Sequence, residues 1–416
     1  MRGSSSFFMK IFLGSLLTFP VLVKGAQPME FATKAIHVGQ RPDPTTGAVI
    51  PPVYLTSTYV QEEPGKTLGY DYTRAGNPNF SNLEEMLASL EGGKYATVFS
   101  SGLGAITSLL STMSQGDHVL ALNGLYGGTY RLFSKVFEPF GIKHVLVSNN
   151  DWRALEEAMA QKPKMIIFET PTNPLLDIVD IQRVGQLAKK YDVLTVVDNT
   201  FATPYFQSPL ELGADVVVHS TTKYIGGHSD VIGGVVISNS EEIKKKMDFQ
   251  RMAMGLNPSP FDTWLTARGV KTLAVRMERH EKNARELAIF FTEHPMVKKV
   301  YFPGLESNPD YALVKRQMHG FGGIVSVEFE LSLDETKRLI SSFNLFALAE
   351  SLGGVESLVD HPASMTHASI PKEEREKSGL LDGLVRFSVG IEDISDLIQD
   401  VEQGMANVLT SKAETS

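Results

Sequence analysis

Between residues 94 and 240 the chain alternates short apolar runs with stretches whose apolar positions recur every three or four residues. Ala96-Thr97-Val98-Phe99-Ser100, His118-Val119-Leu120-Ala121-Leu122, Val145-Leu146-Val147, Met165-Ile166-Ile167-Phe168, Leu194-Thr195-Val196-Val197 and Asp215-Val216-Val217-Val218 read as strands. Several are apolar throughout, the mark of burial on both faces. Helical patterns lie between them: Trp152, Leu155 and Met159 behind the cap Asp151, then Ile181, Val184, Leu187, Ala188 and Tyr191. Strand–helix alternation predicts a largely parallel sheet covered on both faces. Ser81 and Glu84 have capping-box spacing ahead of Leu83, Met86, Leu87 and Leu90, predicting a helix from Ser81 to the Gly92-Gly93 stop.

The flanks differ. Residues 29–80 are rich in Pro, Gly, Thr and Tyr with little helical period, and read as an extended arm. Beyond Val235-Val236-Ile237 the pattern turns helical from about residue 242 to 292. The run Gly323–Phe329 then alternates with period two, and Leu384-Val385-Arg386-Phe387-Ser388 follows as another strand. The expected organisation is α/β: an arm (29–80), a large mostly parallel-sheet domain (81–275) and a smaller α+β domain (276–416). Residues 1–28 stand apart. Arg2 and Lys10 precede an apolar run, Ile11 to Val23, and the small residues Gly25-Ala26, as in a signal peptide. The run is short for a membrane span. A mis-assigned start, or a leader on an otherwise cytosolic protein, explains it as well, and the expected location is cytoplasmic.

Composition narrows the function classes. The 416 residues are 42% hydrophobic and 21% charged, with a net charge of −9 and no Lys/Arg block. Nucleic acid and anionic membranes are therefore unexpected partners. The absence of cysteine excludes disulfides, zinc-thiolate sites and thiol nucleophiles. His219, His228 and Asp230 lack metal-binding spacing, and no metal is expected.

Chemistry concentrates where strands end. The run after Val218 is His219-Ser220-Thr221-Thr222-Lys223-Tyr224-Ile225-Gly226-Gly227. A lysine carried inward by a buried strand either loses its charge or is consumed chemically. A solvated lysine in a surface turn reads equally well from this stretch alone. Upstream, Val196-Val197 ends in Asp198, where open α/β sheets collect ligands. Lysine and carboxylate together suit pyridoxal phosphate, which needs an amine for its aldehyde and an acid against its ring nitrogen. Gly102-Leu103-Gly104 after a strand is two-thirds of a dinucleotide fingerprint, with Thr107 in the third glycine's place. The amides of Gly102 and Leu103 still suit a phosphate at a helix start, with Ser220 and Thr222 adding hydroxyls. Arg386, flanked by apolar residues, reads as a carboxylate binder or an edge-strand charge. Asn173, between two prolines, reads as a cofactor ligand or an Asx turn, and Tyr126 before two glycines as a site residue or a turn.

Glu169-Thr170-Pro171-Thr172-Asn173-Pro174, Val197-Asp198-Asn199-Thr200, the Lys223 stretch and Ser351-Leu352-Gly353-Gly354-Val355-Glu356-Ser357 resemble the Cys/Met-metabolism family of pyridoxal-phosphate enzymes, which includes cystathionine γ-synthase, γ-lyase and β-lyase. The likeness runs from about Thr33 to about Leu409. It implies fold type I, aspartate-aminotransferase-like, and pyridoxal 5'-phosphate as cofactor. It makes Lys223 and Tyr126 the catalytic residues, with the Tyr126 ring stacked on the cofactor. Asp198, Gly102, Leu103, Ser220, Thr222 and Asn173 would complete the cofactor site. Tyr72 and Arg74 would reach the phosphate in a neighbouring subunit, giving a tetramer built from dimers with shared sites. Arg386, Ser351, Asn173 and Glu350 would bind the amino-acid substrate. Asn79-Phe80 departs from the family's usual Thr after Pro78. Glu350 resembles γ-synthases and γ-lyases, and Gly128 stands where methionine γ-lyases carry cysteine. The expected reaction is γ-replacement or γ-elimination on cystathionine or an O-acylhomoserine, with β-lyase as the alternative. A non-catalytic ligand-binding protein is the reading from another class, and the pairing of Lys223 with Asp198 tells against it.

Overall fold

The computed structural model describes residues 29–365, 373 and 379–415; the leader-like segment 1–28 lies outside the described residues. The seven-stranded sheet runs in the order Tyr95–Phe99, Gly234–Ser238, Val216–Ser220, Leu194–Asp198, Met165–Glu169, His118–Leu122 and Lys143–Val147. All run parallel except Gly234–Ser238, which is antiparallel to both neighbours. The apolar runs are two-faced, as expected. Val119, Ala121, Ile167, Val196 and Val218 pack against Ile106, Leu109 and Leu110. Their neighbours Leu120, Leu122, Ile166, Phe168 and Val197 pack on the other side against Leu155, Met159, Val184 and Ala188. Successive side chains on a strand point to opposite faces, so each of these central runs fills two cores at once, whereas Val145 and Leu146 on the edge strand stay exposed.

A second, five-stranded sheet has the order Val297–Tyr301, Ile324–Phe329, Leu384–Ser388, Leu358–Asp360 and Ala347–Leu348. Its core includes Phe346 and Phe387, packed with Phe291 from the helix Leu273–Glu293 and with Val401 and Met405 from the helix Ile394–Thr415. Each fully buried phenylalanine contributes about 1.5–3 kcal/mol of transfer free energy. This sheet is almost wholly antiparallel, and its register sets Arg386 directly opposite Asp360.

Two expectations about the amino-terminal part are corrected. The helix expected from Ser81 runs from Pro78 to Leu90, capped by Asn77, whose side chain accepts the Asn79 N–H. Proline at the first helical position sets the entry angle and lacks only an N–H that had no partner there. Glu84 is not a capping-box partner: it accepts from Arg251 Nη1 at 2.5 Å and Lys244 Nζ at 3.0 Å. Nor are residues 29–80 wholly extended. Phe31–His37 is a helix with Ala35 buried beside Phe80 and Leu83, too short for its period to register in the sequence. The departure at Asn79 has a local use, since its side chain bonds the backbone of Tyr54 and Pro52.

Candidate active site

The carboxyl ends of the parallel strands bring the predicted groups together. Lys223 follows the strand Val216–Ser220 by a turn in which Gly226 N–H donates to Thr221 O and Gly227 N–H to Lys223 O, both at 2.8 Å. Its neighbour Tyr224 is fully buried, with its ring edge-on to His280 at 5.1 Å and its carbonyl accepting from Arg276 Nη1 at 2.6 Å. That anchoring fixes the lysine backbone, and the side chain reaches the second sheet's loops, where Nζ donates to Ser351 Oγ at 2.6 Å. Burial, helped by the charge of Arg386, lowers the amine from 10.5 to about 8, while Glu350 and Asp360 pull it back up. Ser351 has a left-handed backbone, φ 87°.

Arg386 lies beside this amine and is buried. Nη1 donates to Asn173 Oδ1 and Nη2 to Ser351 O, each at 2.8 Å, and Nη2 also pairs with Asp360. Burial pushes Asp360 up to about 6 against the opposing pull of Arg386. Asp198 ends the strand Leu194–Asp198 and accepts both the N–H and the hydroxyl of Thr200. Burial raises its pKa, and the Thr200 bonds and nearby His219 hold it down. Glu169 stands opposite Asp198 in the neighbouring strand. Burial first, then the Asp198 charge, raises Glu169 well above the usual range, while the Tyr126 N–H it accepts at 2.5 Å opposes this. The metal-like residue His219 is instead a buried partner of Glu91, 2.8 Å away.

The helix Gly102–Leu110 opens at the same edge of the sheet. Ser101 caps it, accepting the Gly104 N–H at 2.9 Å, and the amides of Gly102 and Leu103 lie at its positive end. A Cβ on Gly102 would come 2.9 Å from Ser220 Cβ, so glycine lets the helix start close on the Ser220 turn. A nucleophilic amine of lowered pKa, a strand-end carboxylate and an anion-binding helix start are the donor set that pyridoxal phosphate requires, and these residues fit it.

A model of the Cys/Met metabolism PLP-dependent enzyme family matches residues 32–406. The chain belongs to that family. It is 48% identical over 375 residues to the cystathionine β-lyase of Coxiella burnetii, covering 90% of this chain and 97% of that protein. It is 49% identical over 376 residues to the cystathionine γ-synthase of Mycobacterium leprae, covering 90% and 96%. The crystal structure of cystathionine γ-synthase from Xanthomonas oryzae pv. oryzae in complex with cystathionine superposes with a TM-score of 0.90 at 44% identity, over 92% of this chain and all of that one. Fold type I and dependence on pyridoxal phosphate follow from this membership.

Within this family member, Lys223, Ser351, Arg386 and Asn173 form one connected cluster. Glu350 is exposed and close enough to act electrostatically on Lys223 and Asp360. Thr222 Oγ1 accepts the Gly233 N–H at 3.1 Å and approaches Gly233 O, so its hydroxyl serves the turn. Tyr126 is partly exposed, with its amide held by Glu169. Tyr72 and Arg74 make contacts outside this cluster: Arg74 lies over the Tyr72 ring and donates to Met252 O at 2.7 Å. Sequence reasoning missed Asp360 and Glu169 as site residues. Leu358-Val359-Asp360 repeats in miniature the apolar-run-then-acid signal of Val196-Val197-Asp198, and Glu169 closes the run Met165–Phe168 in the same way.

Proposed function

We propose that this pyridoxal-phosphate enzyme catalyses γ-replacement or γ-elimination on cystathionine or an O-acylhomoserine. The observation that carries the reading is the Lys223 amine held on Ser351 beside the Arg386–Asn173 pair. It sets a proton-transferring base next to a carboxylate binder. When bound, the cofactor supplies an electron sink for charge at the substrate Cα. Lys223 would hold the cofactor's aldehyde carbon and, once displaced by substrate, would take the Cα proton and serve in turn to remove and return a proton at Cβ. Asp198 would keep the ring nitrogen protonated. Gly102, Leu103, Ser220 and Thr222 would hold the phosphate, joined by Tyr72 and Arg74 of a neighbouring subunit. Tyr126 would stack on the ring, and Asn173 would bond its oxygen. Arg386 would bind the substrate α-carboxylate, with Ser351 and Glu350 lining the rest. Positioning base and substrate in this way is worth roughly 7–11 kcal/mol of barrier at best.

We further infer a tetramer of dimers with shared sites, located in the cytoplasm, with a domain division near residue 275. Among the described residues no helix is long and apolar enough to cross a membrane. Cystathionine β-lyase chemistry is the second reading, favoured by relatives of that name in Coxiella burnetii and Lactococcus lactis at 48–50% identity. Incubating the purified enzyme with O-succinylhomoserine plus cysteine, or with cystathionine alone, separates the readings. Cystathionine formed in the first mixture, or cysteine and 2-oxobutanoate released in the second, supports the γ reading. Homocysteine and pyruvate released from cystathionine would replace it with the β reading.

A further inference from the structure

We propose that Asp360 is the positioning residue of the substrate-carboxylate clamp, setting the orientation in which Arg386 meets its ligand. The inference rests on Arg386 being that clamp. Asp360 and Arg386 are cross-strand partners and are 1% and 2% exposed. Among the described residues three oxygens bond the guanidinium: Asn173 Oδ1 on Nη1, and Ser351 O with Asp360 Oδ2 on Nη2. Asp360 alone of these carries charge. Arg386 Nε and Asp360 Oδ1 have no hydrogen-bond partner among the described residues. The pair is therefore engaged through a single nitrogen and a single oxygen, although an Arg–carboxylate pair can bond through two.

That geometry divides the fork. Nη2 is committed to Asp360 and the Ser351 carbonyl, which leaves the unpartnered Nε and the Nη1 side, shared with the neutral Asn173, for a second carboxylate. A buried guanidinium with only neutral acceptors would turn toward whichever oxygens it could reach. Asp360 also balances charge. Asp360 feels the charges of Arg386, Glu350 and Lys223, and Lys223 those of Arg386, Glu350 and Asp360. An amino acid entering this group meets an arginine already oriented and partly compensated.

Two other roles for Asp360 predict different behaviour. A competitor for Arg386 would weaken substrate binding, and a purely structural ion pair would leave it untouched. The test uses the holoenzyme and glycine, an amino acid without a side chain to eliminate. Glycine binding is followed by titrating the cofactor's visible absorbance, alongside steady-state KM and kcat and the thermal unfolding midpoint. Asp360→Asn should raise the glycine Kd and the KM about ten-fold, the loss of one charge-assisted contact, with kcat much less affected. Asp360→Glu, which keeps the charge but moves it by one carbon, should fall between Asp360→Asn and the native enzyme. An unchanged Kd with a lowered unfolding midpoint, or a tighter Kd, overturns the proposal. If Asp360→Asn does not fold, a native Kd in Asp360→Glu overturns it equally. Arg386→Gln keeps the two failures apart: a native glycine Kd in that variant means Arg386 is not the clamp, whatever Asp360 does.

Discussion

The Lys223 amine lies 2.6 Å from the Ser351 hydroxyl, and Ser351 reaches it from a left-handed backbone, φ 87°. A non-glycine residue held there costs of order 1–3 kcal/mol and persists only where its surroundings impose it. Here they do: the Ser351 carbonyl is held by Arg386, and the following Gly353 N–H donates to Ser388 Oγ at 2.9 Å.

This yields a paired prediction. Ser351→Ala and Ser351→Gly both lose the hydroxyl, so both should lower kcat/KM. Only glycine also relieves the backbone, and it should be the more stable of the two by about 1 kcal/mol. Denaturant unfolding of the two variants checks this, and equal midpoints would show that the backbone carries no cost.

The lowered Lys223 pKa predicts how the apoprotein takes up cofactor. Only the neutral amine attacks an aldehyde, and each pH unit below about 8 cuts its fraction about ten-fold. The uptake rate, followed by visible absorbance, should rise with pH and level off above about 8. A rate still climbing toward 10.5 would mean an ordinary lysine. The stability linkage has the same sign. Between about 8 and 10.5 the unfolded chain binds a proton that the folded apoprotein does not, so this group's contribution to stability rises with pH across that window.

Lys223→Ala should abolish turnover and the covalent cofactor link that borohydride reduction would otherwise make permanent. The fold should survive, because Tyr224 and Arg276 anchor the turn without the lysine side chain. Retained steady-state turnover would remove the Schiff-base role.

Shared sites are testable by complementation. Arg74→Ala and Lys223→Ala are each expected to be inactive or nearly so. Mixed under conditions of subunit exchange, some hybrid sites would draw both residues from intact partners, and part of the activity should return. Hybrids that co-purify through two different tags yet stay inactive would assign Arg74 to its own chain.

A chain starting at Met29 should fold, bind cofactor and turn over like the full-length protein. The family match begins at residue 32, and the first described helix begins at Phe31. Insoluble or inactive protein on that truncation would make residues 1–28 part of the working enzyme.

What the sequence made legible, and what it hid, follows from how far each signal travels along the chain. Lys223 and Asp198 stood out because each closes an apolar run, a pattern contained within a few residues. The helix before Gly92 was legible from its period, but its start was misjudged because Glu84 sits at capping-box spacing while bonding Arg251, 167 residues away. Asp360 was hidden for a similar reason. Its partner is 26 residues distant, and the strand Leu358–Asp360 is too short to announce itself. Tyr72 and Arg74 are the opposite case. They were singled out through resemblance, and the contacts within a single chain assign them no part in that chain's own cluster.

The bond from Arg386 to Asn173 spans the two sheets, joining a strand of the smaller one to the loop that follows Glu169 in the larger. A ligand that draws on this bond also draws on how the sheets are set against each other. Ligand binding and that setting then share one coupling free energy, felt equally in both directions. Substrate preference in this protein is consequently open to change by drift at the seam, in residues that never touch a substrate.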